Sequence, residues 1–141
     1  MSTNERTVIT IETTVKAPID KIWDVWNKPE HITKWATASE DWHTTRSEND
    51  LREGGKFVSR MEAKDGSMGF DFGGVYDSIK PNESIEYTMS DGRKVKTTFN
   101  VNGDTTRIVQ SFDAEQTNPV EMQRMGWQVI LDNFKLYTET N

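Results

Sequence analysis

The side chains able to do covalent or acid–base chemistry are few in this sequence. It has no cysteine, which excludes disulfides, thiolate zinc sites and cysteine nucleophiles. The only two histidines, His31 and His43, lie far apart, without the short spacing that places two imidazoles around one metal ion. No G-x-S-x-G nucleophile elbow occurs, and no glycine-rich loop leads into a helix that could cradle a phosphate. Glu40-Asp41 is an adjacent acid pair, and adjacent loop acids are ordinarily solvated. His31 reads as a helix-surface residue. His43, beside Trp42 in an expected loop, is either solvent-exposed or at a cavity rim. The expectation is no catalytic residue, no metal, no cofactor and no hydrolase activity.

What remains is recognition chemistry, carried by polar or small residues in apolar settings. Gln110 falls on the apolar face of a strand pattern and Asn133 inside the apolar arc of a helix pattern. Buried amides need hydrogen-bond partners, supplied ordinarily by backbone or water and less often by a bound molecule. Gly126, mid-helix, costs roughly 1 kcal/mol relative to alanine. It is explained either by close packing against a strand or by space left for a ligand.

These residues need elements to hold them. In 7–15, Ile9, Ile11, Thr13 and Val15 alternate with polar residues, the pattern of a half-buried strand. Pro18 suits the first turn of a helix over 18–27, with Ile19, Ile22, Trp23 and Trp26 at helical spacing. Pro29 opens a second short helix carrying Ile32 and Trp35. From about residue 45 the period becomes two, through Phe57 and Met61, Phe70 and Phe72, Ile85 and Tyr87, Val95 and Phe99, then Ile108 and Phe112. Turn signals separate these runs at Asp65-Gly66, Pro81-Asn82, Asp91-Gly92 and Asn102-Gly103, so the strands form an antiparallel meander. Asn118-Pro119-Val120-Glu121 resembles an N-cap, a first-turn proline and a capping acid, predicting a helix from about 118 to 138.

At about 100° per residue, Glu121, Arg124, Gln128, Asp132, Lys135 and Glu139 share a narrow polar arc of that helix. The rest is apolar, with Met122, Met125, Val129 and Leu136 on one flank and Trp127, Leu131 and Phe134 on the other. An antiparallel sheet with one apolar face needs a cover, and this helix is the only element long enough to give it. The fold class is therefore α+β, a curved antiparallel sheet gripping a long C-terminal helix, as one domain over 1–141.

Four segments carry a family resemblance. Ala17-Pro18-Ile19-Asp20-Lys21-Ile22-Trp23 is similar to the A-P-x-x-x-V-W opening of the START-like, or SRPBCC, helix-grip superfamily. Asp50-Leu51-Arg52-Glu53-Gly54-Gly55 resembles its D-x-R-x-G-G turn into a strand. Gly74 to Ile85 resembles G-x-x-x-x-I-x-P-x-x-x-I, and Gly126-Trp127 to Tyr137 the closing G-W-x-x-x-L-x-x-L-x-x-Y. The branch resembled is that of the activator of the heat-shock-protein-90 ATPase. Many relatives have an aromatic residue after the tryptophan of the second helix, where this chain has Ala36.

The resemblance implies a cavity between the long helix and the sheet, but no single chemistry, because relatives carry lipids, cyclise polyketides, bind hormones or assist a chaperone. The leading expectation is non-enzymatic binding of a small apolar or aromatic molecule. A co-chaperone-like module acting on a heat-shock ATPase, in a stress response, comes second, and a cyclase-like acid–base enzyme third. The expected ligand-binding walls are Phe57, Met61, Phe72, Tyr87, Phe99, Met122, Met125 and Val129. Gly126 would leave room, and Gln110 or Asn133 would supply a polar contact. The net charge of −6 argues against a phosphate-backbone binder, so no nucleic-acid partner is expected. The first residues lack the apolar run of a signal peptide, and no stretch is apolar enough to span a membrane. With the absence of cysteine, these features fit a cytoplasmic protein without a membrane partner. Trp23, Trp26, Trp35 and Trp42 are expected to be mostly buried, which would weaken the co-chaperone reading.

Overall fold

A computed structural model describes residues 7–37 and 40–140. Chain order is β1 (Val8–Val15), α1 (Ile19–Asn27), α2 (Pro29–Trp35), β2 (Trp42–Asn49), β3 (Lys56–Ala63), β4 (Gly69–Lys80), β5 (Ser84–Met89), β6 (Lys94–Asn102), β7 (Thr105–Asp113) and α3 (Val120–Thr140). The strands form one antiparallel sheet of order β1-β7-β6-β5-β4-β3-β2. Strands β3 to β7 follow one another as a meander, as the turn dipeptides predict. The first strand pairs with the last, so α1 and α2 carry the chain from one sheet edge to the other. Register shifts at Thr44/Arg46 and Tyr76/Ser78 bend the sheet as bulges do, and the curled sheet closes on α3.

Side-chain parity sets the inner face. Ile9, Ile11 and Val15 of β1 are almost fully buried, as are Val95 and Phe99 of β6 and Ile108 and Phe112 of β7. From α3, Leu131 and Phe134 enter this core. The Phe134 ring centroid lies 4.8 Å from that of Trp26 and 4.9 Å from that of Trp35, in the edge-to-face geometry that aromatic quadrupoles favour. The Trp35 indole donates to the Val25 carbonyl at 2.9 Å, locking α2 against α1.

The Gly54-Gly55 turn is structural. Gly54 has φ +82°, and a Cβ at Gly55 would lie 2.1 Å from the Asp50 carbonyl oxygen, so neither position accepts a side chain without rearrangement. The Gly54 amide donates to the Tyr76 carbonyl at 2.8 Å and the Tyr76 amide to the Gly55 carbonyl at 2.9 Å. Arg52 Nε donates to Asp50 Oδ2 at 2.9 Å. Together these bonds clip the loop before β3 onto β4.

Several local expectations change. Trp42 and His43 lie in strand β2, not in a loop, and His43 is exposed on it, the first of its two readings. Alternation there is masked by threonines and charges, and pairing with β3 overrides it. His31 is half-buried, not a free surface residue, and its Nδ1 lies 2.8 Å from the Tyr137 hydroxyl. Pro18 precedes α1 as its N-cap. Helix α3 begins at Val120, with the Pro119 carbonyl accepting from the Gln123 amide at 3.2 Å. Asn118 lies one residue too early to cap it, and its side-chain Nδ2 donates to Glu115. Of the four tryptophans, only Trp35 is fully buried; Trp23, Trp26 and Trp42 are half-buried.

The outer flank of α3 departs most from expectation. Met122, Met125 and Leu136 are 60%, 67% and 65% exposed, and Val129 is also exposed. The helix turns its Trp127, Ile130, Leu131 and Phe134 side inward instead. No helix among the described residues is long and apolar enough to cross a membrane.

Candidate ligand cavity

Between α3 and the inner face of the sheet lies a cavity of about 580 Å³. Its existence follows from packing. The inward side of α3 carries Trp127, Leu131 and Phe134, which fill the space toward β1, β7 and α1, but Gly126 offers nothing toward the middle of the sheet. A Cβ built on Gly126 meets no atom within 4 Å. Close packing against a strand therefore does not explain this glycine, which faces open space.

The sheet supplies the opposite wall, with Phe57, Ser59 and Met61 from β3, Phe70, Phe72 and Tyr76 from β4, and Ile85, Tyr87 and Met89 from β5. The aromatics brace one another: Phe57 stands 4.7 Å from Tyr87, 5.0 Å from Tyr76 and 6.3 Å from Phe72, by ring centroids. Phe72 in turn approaches Trp127 at 6.1 Å, and Trp127 stacks on Phe112 at 4.0 Å and 13°. Trp35, Ala36, Thr37 and Trp42 close a third side. Ala36 is part of this lining. Phe70 and Met122 line the cavity yet are 51% and 60% exposed, which marks where it opens to solvent.

Polar groups in the lining are few, and most have partners. The Tyr76 hydroxyl donates to Asn49 Oδ1 at 2.6 Å, and Gln110 Nε2 donates to Thr97 Oγ1 at 3.0 Å. Gln123 is buried and ties down the chain before α3. Its Oε1 accepts from the Glu115 amide at 2.8 Å, and its Nε2 donates to the Asn118 carbonyl at 2.7 Å. Tyr87 lines the cavity, and its hydroxyl makes no hydrogen bond among the described residues. Burial pushes both phenols well above the ordinary tyrosine range; the neighbouring Tyr76 adds to the rise at Tyr87, and Arg93 opposes it. Both hydroxyls thus stay protonated and able to donate. Among the described residues no group of three His, Asp or Glu side chains is placed to hold a metal ion.

The structure brings together seven of the expected wall residues: Phe57, Met61, Phe72, Tyr87, Gln110, Met122 and Gly126. It separates four. Phe99 is buried beside Trp23 and Trp26, at 5.6 and 5.5 Å, because α1 covers that end of β6. Met125 and Val129 lie on the solvent flank of α3. Asn133 donates to the Thr37 carbonyl at 2.7 Å, so its amide fastens α3 to the segment after α2. Sequence reasoning passed over Arg93, Glu115 and Gln123, all in the lining. Arg93 could have been found by parity, since it precedes Val95, Thr97 and Phe99 on the same face of β6. Gln123 lies seven residues before Ile130, on the same side of the helix.

The chain matches, over residues 16–139, the family described as Activator of Hsp90 ATPase homolog 1-like protein. An AHSA1-like protein from Aeromonas hydrophila is 42% identical, with a TM-score of 0.90 over 95% of this chain and 93% of that one. A protein from Cytophaga hutchinsonii is 59% identical, with a TM-score of 0.82 over 94% and 92%. A protein from Chromobacterium violaceum shares the fold at 22% identity and a TM-score of 0.86, over 96% and 99%. None of the curated proteins compared matches the chain.

Proposed function

We propose a function on one premise, that the chain belongs to the Activator of Hsp90 ATPase homolog 1-like family: it binds a small apolar or aromatic molecule between α3 and the sheet, without catalysing a reaction on it. The observation that carries this reading is the open space over Gly126. A helix gives up roughly 1 kcal/mol for a mid-helix glycine, and here the glycine faces a cavity instead of a neighbour. The size lies within the 300–1,000 Å³ range of small-molecule sites, and an apolar lining with a few placed polar groups is their usual chemistry.

The test uses N-phenyl-1-naphthylamine, an uncharged probe that brightens in apolar surroundings. Trp26, Trp35, Trp42 and Trp127 line the cavity, so a probe bound there takes up excitation energy from tryptophan. Saturable one-to-one binding with energy transfer is the expected result. A linear, non-saturating signal would remove the basis for the reading.

A second reading has its own observation. Met122, Met125, Val129 and Leu136 leave an apolar stripe exposed along α3, and the family takes its description from an activator of a chaperone ATPase. On this reading the stripe docks on a chaperone. Recovery of a heat-shock chaperone in a pull-down, together with stimulation of its ATPase and loss of both in Met125→Glu, would favour it over the first.

A further inference from the structure

Charge is scarce in the cavity lining, and where it occurs is informative. Among the described residues only two lining side chains are charged, Arg93 and Glu115. Arg93 comes from the turn between β5 and β6, held there because the Met89 amide donates to its carbonyl at 2.7 Å. Its side chain is only 14% exposed. Asp91 takes the Nε proton, Nε to Oδ2 being 2.7 Å, and Asp91 is itself 54% exposed on the solvent side. The two NH2 groups of the guanidinium make no hydrogen bond among the described residues. A largely buried guanidinium whose two NH2 groups line the cavity without a partner among the described residues is a site for an oxyanion, since its fork matches a carboxylate.

A second donor lies close by. Tyr87 pairs with Val95 and Met89 pairs with Arg93 across β5 and β6, so Tyr87 and Arg93 are diagonal neighbours on the cavity side of the sheet. The Tyr87 hydroxyl makes no hydrogen bond among the described residues. Beyond it the walls are Phe57, Phe72 and Trp127, with no further charge. The carboxylate of Glu115, the opposing group in the lining, is engaged by the Asn118 side-chain amide, and Asp91 opposes from the solvent side.

We infer that the ligand is an amphipathic carboxylate, an apolar body lying under Gly126 with its carboxylate taken by Arg93 and the Tyr87 hydroxyl. This rests on the cavity reading above and names the class of molecule it takes. Glu115 and Asp91 both work against such a ligand, so the affinity observed is the balance of one cation and two anions.

The experiment is competition against bound N-phenyl-1-naphthylamine by decanoate and by 1-decanol, which share a chain length and differ in the head group. Wild type is expected to prefer decanoate by at least about tenfold, the scale of one hydrogen bond to a charged group. Arg93→Met should abolish the preference, weakening decanoate far more than decanol, and Tyr87→Phe should reduce it severalfold. Glu115→Gln should strengthen decanoate binding more than that of decanol and so widen the preference. That variant keeps the inference testable if Arg93→Met, which also loses Asp91 as a partner, fails to fold. Equal displacement by acid and alcohol in wild type, or a preference that survives Arg93→Met, would overturn the carboxylate inference while the cavity reading stands. Absence of probe binding in wild type would instead sink the cavity reading itself.

Discussion

Two substitutions at Gly126 separate a helix that leaves space from one that packs. Replacing Gly126 by Ala adds a Cβ where no atom lies within 4 Å, so no clash opposes the gain in helix propensity, about 1 kcal/mol. For 141 residues at about 2.1 cal/mol/K per residue, the unfolding entropy is about 0.3 kcal/mol/K, and the gain raises Tm by about 3 °C. Leucine has nearly the helix propensity of alanine, and its larger side chain extends into the cavity. Gly126→Leu should therefore match or exceed the Tm of wild type, yet weaken N-phenyl-1-naphthylamine binding at least tenfold, about 1.4 kcal/mol. Overpacking a filled core would do the opposite, costing about 1–3 kcal/mol and lowering Tm by several degrees. Differential scanning calorimetry with probe titration on the same samples reads both quantities. A lower Tm in either variant, or a Leu variant that binds the probe as wild type does, would refute the reasoning.

Two further outcomes test the frame around the cavity. Thr138 is fully buried and its hydroxyl has no partner among the described residues; Thr138→Val keeps the shape, removes an unsatisfied group, and is expected to raise stability by about 1 kcal/mol, read as denaturant midpoint at constant slope. Glu139 is held below its ordinary carboxyl range, first by the hydrogen bond from Lys135 Nζ at 2.7 Å and then by the Lys16 amide at 2.8 Å. A lowered folded-state pKa contributes stability that is present above the ordinary value of 4.5 and is lost as pH falls below it. Glu139→Gln should accordingly destabilise the chain at pH 7 and converge with wild type in acid, followed by thermal melts from pH 7 to pH 3. A constant difference across that range would contradict the assignment.

The sheet was readable because its signals are local and redundant. Asp91-Gly92 and Asn102-Gly103 dictate hairpins, and Gly92 and Gly103 take the positive φ such turns require. Parity then assigns Phe57, Met61, Phe72 and Tyr87 to one face without any tertiary knowledge. Strand β2 was missed because Trp42-His43-Thr44-Thr45-Arg46 carries no clean alternation, and only the partner strand settles its conformation.

The helix shows where such reading stops. An amphipathic pattern fixes how wide the apolar arc is, but not which part of a wide arc meets the sheet. The arc of α3 is wider than the groove that receives it, so one flank had to remain outside, and the sequence offers Met122, Met125, Val129 and Leu136 as readily as Trp127, Leu131 and Phe134. Packing decides in favour of the rings. Trp127 stacks on Phe112 and Phe134 meets Trp26 and Trp35, and each aromatic buries more surface than a methionine could at the same place. That rotation places Gly126 over the sheet and leaves Met125 in solvent. The same choice of flank therefore accounts for both the cavity and the exposed stripe. A variant that exchanged Trp127 for a small residue would loosen the rotation, and it should weaken probe binding and lower Tm together, whereas Gly126→Leu should weaken only the first.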